Sequence, residues 1–208
     1  MGAVFVILPY LNNIPMNIKS LIAGFALLAT YPLTAQNMYI APVNAGTTTV
    51  PATANFGGES KEIAHVGWAE LTSTSFSIEN ATTARSGGGG AGAGRVSAGN
   101  FVMTKPLDGS SQYFLGNSFT AKNIPLLTIE YAKGGSDRAN VVYQVIVLKD
   151  VRVASYKQNC GENGTPIEEI ALSYGTIEVT YNRLDNTGRP VKGKTNVWNF
   201  ITNTGSGN

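Results

Sequence analysis

Charge is scarce in this chain. Asp, Glu, Lys and Arg make up 13% of its 208 residues, about half the roughly 25% of an ordinary soluble domain. Mean hydropathy sits near zero, so apolar residues do not fill the gap; Gly, Ser, Thr and Asn do. Such a surface suits an exported protein, or one largely covered by copies of itself. The formal net charge is only +2. With no dense Lys/Arg run, that balance excludes a nucleic-acid partner. Cys160 is the single cysteine, which rules out an intrachain disulfide framework and leaves a passive thiol or a cross-link to another chain. His65 is the single histidine. A zinc site would need further ligands that the chain does not offer, and a Ser-His-Asp triad would have to use His65 without a Gly-x-Ser-x-Gly elbow. A hydrogen-bonded structural histidine is the expectation, with no metal and no catalytic set.

Long apolar runs are also missing. The longest, Leu21 to Leu33, has 13 residues interrupted by Gly24, Thr30 and Pro32. A membrane-spanning helix needs about 20, whereas this length is ordinary for a signal-peptide core. Met16 and Lys19 precede it, and Thr34-Ala35-Gln36 supplies a small residue at the cleavage position. Residues 1–35 are therefore expected to be a leader, with Met16 the preferred translation start; the alternative reading of this segment is an uncleaved N-terminal membrane anchor. Residues 36–208 form one domain that is secreted or periplasmic, with no stable membrane insertion once the leader is cut.

The remaining chain reads mainly as β. Strands are expected at Met38–Val43, Val66–Ile78, Phe101–Thr104, Leu126–Tyr131, Val141–Tyr156 and Glu168–Tyr181, from their β-branched and aromatic content between turn clusters. In the last of these, Ile170, Leu172 and Tyr174 share one parity while Ile177, Val179 and Tyr181 share the other. A one-residue slip at Gly175 restores the phase, so a bulge is expected there. Long strands with a bulge fit a curved or closed barrel better than a flat sandwich. One helix is expected after Asp108, whose carboxylate can cap the N–H groups of Ser110 or Ser111. Tyr113, Phe114, Leu115 and Phe119 would form its apolar face, and it would end near Lys122-Asn123.

Gly87-Gly88-Gly89-Gly90-Ala91-Gly92-Ala93-Gly94 is the low-complexity part, expected as a loop ordered only by a partner. It is not a phosphate-binding loop, because Arg95-Val96-Ser97 and a strand follow where Lys-Ser/Thr and a helix are required. No nucleotide or other cofactor is expected. Glu168 and Glu169 are adjacent, so on a strand they point to opposite faces and cannot converge on a glycosidic bond. Solvent or subunit contacts are expected for them.

Two short signatures lie about forty residues apart. One runs Gly58-Glu59-Ser60-Lys61, through His65 and Gly67-Trp68, into Ser73-Thr74-Ser75-Phe76-Ser77. The other is Thr104-Lys105-Pro106-Leu107-Asp108-Gly109-Ser110-Ser111. With Val147-Leu148-Lys149-Asp150-Val151, Glu168-Glu169, Ser173-Tyr174, Ile177-Glu178 and Trp198, in this order, the chain resembles the Hcp family, the tube-forming proteins of type VI secretion. The resemblance runs from about Met38 to Trp198. It implies an antiparallel β-barrel of two sheets with one flanking helix, and no catalytic residues. It implies homo-oligomeric, hexameric rings stacked into a tube that carries a spike protein and effector cargo. Gly58, Glu59, Ser60, Trp68, Lys105, Pro106, Asp108 and Ser111 would be structural motif residues. The inter-ring contact would fall to Asn80–Ala98, centred on Gly87, Gly88, Gly89, Gly90, Gly92 and Gly94. The leader sets the chain apart and implies an Hcp-like protein exported by the general pathway. The alternative is a secreted β-sandwich binding carbohydrate or a cell-surface partner, for which Trp68 and Trp198 would have to be exposed.

Overall fold

The computed structural model describes residues 36–81, 95–134, 140–160 and 164–207. The strands in chain order are β1 (Gln36–Ala41), β2 (Ala69–Leu71), β3 (Ser73–Ser75), β4 (Ile78–Asn80), β5 (Val96–Ala98) and β6 (Phe101–Pro106). After helix α1 (Ser111–Thr120) come β7 (Ile124–Lys133), β8 (Val141–Cys160), β9 (Pro166–Ser173) and β10 (Thr176–Tyr181). The last are β11 (Arg183–Leu184), β12 (Pro190–Val191), β13 (Thr195–Asn199) and β14 (Thr204–Gly207). The described chain is thus mainly β with one α-helix, and every strand pairing is antiparallel.

β8 organises the rest. Its β-branched first half lies between β7 and β10, and the sheet extends through β1 to β2 on one side and through β13 to β14 on the other. Its second half pairs with β9, which continues through β6 to β3. The two arms meet at Thr72, where the chain passes from β2 into β3 and the Thr72 N–H donates to Thr104 O at 2.9 Å. The two arms share β8, and because β2 and β3 do not pair with each other they are linked at the far end by chain continuity at Thr72, so the ladder is not closed there. Between them lie Ile40, Trp68, Phe101, Met103, Phe114, Ile129, Ile146, Leu148, Ile170 and Leu172.

The phase change in the last long strand is real, but its form differs from a slip. Inward residues of β9 are Ile170 and Leu172, and those of β10 are Ile177 and Val179. The register is nevertheless continuous, with Arg152 opposite Ser173 and Lys149 opposite Thr176. No offset arises because β8 changes phase at the same level, from Ile146 and Leu148 to Val151 and Val153. Asp150 turns the backbone there with φ 55°, and the break at Tyr174-Gly175 faces it. Gly175 donates its N–H to Lys149 O at 3.0 Å and accepts from Phe200 N–H at 2.9 Å. The one-residue bulge of this ladder sits instead on β8, between Val153 and Ser155. Sequence parity locates the irregularity on one strand; only the pairing shows that its partner inverts too.

Helix α1 starts as its residues dictate. Asp108 Oδ1 accepts from Ser110 N–H at 2.9 Å and from Ser110 Oγ at 2.6 Å, while Ser111 Oγ accepts from Asp108 N–H at 3.1 Å. It ends earlier than Lys122, at Thr120, because Ala121 takes a left-handed conformation with φ 48°. The expected apolar face is also narrower. Phe114 is buried and packs edge-on against Phe56, but Phe119 is 78% exposed. At the far end, β11–β12 and β13–β14 form hairpins where strand composition is too polar and glycine-rich to announce them.

A Cβ at Gly175 would lie 3.2 Å from Asp150 Cβ and 2.9 Å from Ile201 Cδ1. Gly175→Ala is therefore expected to cost about 1–3 kcal/mol by overpacking. Urea unfolding should show part of that loss recovered when Asp150→Gly, which also relieves the positive φ, is combined with it.

Candidate functional site

The two signatures fold against each other. The Glu59 carboxylate accepts the Gly109 N–H at 2.9 Å. Gly57 and Gly109 pass so closely that a Cβ on Gly109 would lie 2.2 Å from Gly57 O. Gly58 is equally constrained, its missing Cβ falling 2.4 Å from Gly67 O. Glycine's lack of a side chain is what allows these backbones to approach. Ser60 and Trp68 then pair across the loop, Ser60 N–H donating to Trp68 O and Gly67 N–H to Ser60 O, both at 2.9 Å. Ser60 Oγ donates to Glu70 at 2.9 Å.

His65 closes this loop onto the sheet. It is fully buried, stacked on Tyr39 at 3.9 Å and met edge-on by Trp68 at 5.1 Å. Its Nδ1 lies 2.5 Å from Glu62 Oε2 and its Nε2 3.0 Å from Glu130 Oε2. The two carboxylates thus meet both ring nitrogens. They approach opposite edges of the ring and cannot share one metal ion with it. Burial acts to raise the Glu62 carboxyl, but the Asn140 N–H, the His65 ring and the Ala64 N–H together hold it below its ordinary value. Burial pushes the Tyr39 hydroxyl up to about 12.

Lys105 anchors the second signature. It sits on β6 among alternating inward residues, fully buried. Its Nζ lies 2.9 Å from Glu168 Oε2 and 2.7 Å from Asp108 Oδ1, and donates to Pro106 O at 2.8 Å and Ser111 Oγ at 3.2 Å. Glu168 also accepts from Tyr156 Oη at 2.5 Å. Burial, and then that bond to Glu168, raise the Tyr156 hydroxyl. Lys105 Nζ, both Glu168 carboxylate oxygens and Asp108 Oδ1 are engaged, so the cluster ties β6, β8, β9 and the start of α1.

This corrects the expectation for Glu168, which is buried beneath the helix start and not a solvent or subunit contact. Glu169 does point the other way, pairing with Lys157 at 2.8 Å on the surface. Pro106 continues β6 opposite Ile167. Cys160 is exposed at the end of β8, opposite Pro166. Gly87, Gly88, Gly89, Gly90, Gly92 and Gly94 lie outside the described residues. Trp68 is buried, and Trp198 is half-buried with its indole nitrogen enclosed. Beside α1 runs a cleft of about 620 Å³ whose wall includes Asn55, Gln112, Tyr113, Asn117 and Lys122. No carboxylate or histidine is among its described lining residues. Sequence reasoning missed Glu62, Glu130 and Tyr156. Only Glu62 had a local signal, three residues before His65; the others arrive by strand pairing.

Removing one member of a buried, satisfied ion pair costs about 3–5 kcal/mol, while replacing both by apolar residues is often near neutral. Lys105→Met alone is expected to fall in that range, and Lys105→Met with Glu168→Leu to recover most of it, measured by chemical unfolding. For Glu62 the folded value lies below its ordinary 4.5. Its stabilisation is therefore full above that pH and is lost as pH falls through the lower folded value. Glu62→Gln should flatten this acid limb in unfolding free energy against pH.

Residues 44–181 match the family described as type VI secretion system effector, Hcp. Curated proteins give no match. Among solved structures, a type six secretion system protein is 23% identical with a TM-score of 0.70, over 83% of this chain and 100% of that one. Hcp1 from Salmonella typhimurium is 20% identical with a TM-score of 0.61, over 83% and 99%. A type VI secretion system effector from Yersinia pestis is 15% identical with a TM-score of 0.54, over 78% and 98%. At these identities the structures establish the fold. The family match spans more than half of the sequence and takes in both signatures, the buried Lys105 and His65 clusters and the shared strand β8, and on that ground the chain belongs to the Hcp family of type VI secretion.

Proposed function

We propose that the chain from Gln36 onward is a structural subunit that assembles into hexameric rings, and that these stack into a tube outside the cytoplasm. The observation that carries this reading is the family match over residues 44–181. The physical character of the surface supports it. Phe119, Ile63 and Ile201 are large apolar side chains left mostly in solvent, and among the described residues β14 is an unpaired sheet edge. Such edges and side chains are covered when copies associate. The buried polar clusters serve packing, so the subunit contributes no catalytic step of its own. A spike protein and effectors are the partners such a tube would carry.

The inter-ring contact is assigned to the segment from Asn80 to Ala98. Its base is the hairpin of β4 and β5, where Ile78 pairs with Ala98 and Asn80 with Val96. Arg95 Nη2 donates to Phe200 O at 3.3 Å and Val96 N–H to Asn203 Oδ1 at 3.0 Å, fastening the return strand to the β13–β14 turn. A glycine-rich connection fits a close backbone approach to a neighbour, at an ordering cost that only contact repays.

Exported material should begin at Gln36 by N-terminal sequencing and form rings and short tubes in negative-stain images. Light scattering that finds only monomers at high concentration refutes assembly. Deleting residues 87–94 should leave rings and abolish tubes; undiminished stacking refutes the role given to that segment alone.

A further inference from the structure

Directly after the last residue of the family match, Tyr181, the chain builds a feature that the assembly reading does not use. Between Arg183 and Lys194 there are four cations, Arg183, Arg189, Lys192 and Lys194, and one acid, Asp185. The cations are all exposed. No salt bridge among the described residues engages them. Asp185 offsets one of these charges but forms no salt bridge with the cations among the described residues, because its Oδ1 is turned into its own loop. It accepts from Arg189 N–H at 2.9 Å, Thr187 N–H at 2.8 Å and Thr187 Oγ1 at 2.7 Å. Those bonds, the Arg189 N–H first and then the Thr187 hydroxyl, hold its carboxyl below the ordinary range.

The β11–β12 hairpin is a prong fixed at both ends. Gly188 takes φ 77° and donates its N–H to Asp185 O at 3.0 Å, closing the tip. At the base, Asn182 N–H donates to Tyr143 O at 2.7 Å and Asn182 Oδ1 accepts Gly193 N–H at 3.1 Å. Gly193 presses so closely on Tyr181 that a Cβ would lie 1.4 Å from Tyr181 O. The cations are therefore presented on an ordered support. Beside them stand Tyr181, 58% exposed, and Val191, 42% exposed. Lys133 lies over the Tyr143 ring at 4.8 Å.

Unpaired cations flanked by exposed tyrosine and aliphatic side chains match the headgroup region of an anionic bilayer, where aromatic rings and Lys/Arg favour the interface. The shape narrows the partner further. An exposed two-stranded prong supplies no walls to hold an acidic peptide. Single-stranded nucleic acid is gripped by successive bases stacked on aromatic side chains, but of the tyrosines here, Tyr131, Tyr143 and Tyr181, only Tyr181 is exposed. A flat anionic surface needs neither groove nor platform. We propose that the β11–β12 prong docks the protein peripherally on phosphate-bearing lipid headgroups. This goes beyond tube formation and does not depend on it.

The test is sedimentation of the full chain with phosphatidylcholine vesicles, with or without phosphatidylglycerol. Partitioning should favour the anionic vesicles, weaken with added salt, and drop about fivefold for each cation changed to Gln. The variant Arg183→Gln/Arg189→Gln/Lys192→Gln/Lys194→Gln should lose the preference for anionic vesicles. It should keep the unfolding midpoint, since those side chains are exposed. The apolar residues 21–33 act alike on both vesicle types and in both proteins, so they cancel from the comparison. Equal binding to neutral and anionic vesicles overturns the proposal. So does an undiminished quadruple variant, or cation-dependent binding to polyglutamate or an oligonucleotide with none to vesicles. Ring formation by light scattering is read separately.

Discussion

β8 belongs to two sheets at once, and that sharing is possible only because its inward face inverts midway. A strand presents alternate residues to one side, so twenty regular residues would present one unbroken parity to a single sheet's interior. Asp150, held at φ 55°, exchanges the parity, and the break at Tyr174-Gly175 makes the same exchange in the neighbouring β9–β10 segment. Because both change together, Leu148 still faces Ile177 and Val153 still faces Leu172. The two arms of the body hang from this one strand: β7, β1 and β2 on its first half, β9, β6 and β3 on its second.

The family signatures occupy the places where that arrangement is least able to hold itself. Loops cannot satisfy their backbone through ladders, and buried they would be left with unpaired groups. Glu59, Ser60, Asp108 and Ser111 supply the missing partners, while Gly57, Gly58 and Gly109 let the strands of loop pass within contact. The two charged clusters extend the same logic inward. An ion pair such as Lys105–Glu168 adds little net stability over apolar packing, but it fits only one alignment of β6, β9 and the helix start. His65 does this for the signature loop, with Glu62 on the loop and Glu130 on β7. The polar residues that most invite a catalytic reading thus fix geometry: Lys105 and Glu168 join β6, β9 and the helix start, and His65 joins the signature loop to β7.

What remains for interaction is on the outside, and it is unevenly distributed. Apolar side chains such as Phe119 and Ile201 stand in solvent, suiting contacts between like copies. The cations gather beyond β10, on a hairpin outside the family match. On the readings proposed above, self-association and attachment would draw on different surfaces of one subunit.

Sequence alone determined the composition-borne facts: β-rich, sparing in charge, with one helix opened by Asp108 and two signatures that mark the family. These are local properties, written in alternation, turn residues and capping chemistry over a few positions. The parity change near Gly175 was legible for the same reason. What the partner strand does opposite it, which carboxylate meets His65 or Lys105, and that Phe119 faces outward were decided only by the tertiary structure. Each depends on residues distant along the chain: Glu130 lies 65 residues from His65 and Glu168 63 from Lys105. Strand pairing sets those distances, and a pattern of neighbours carries no record of which strand will lie beside it.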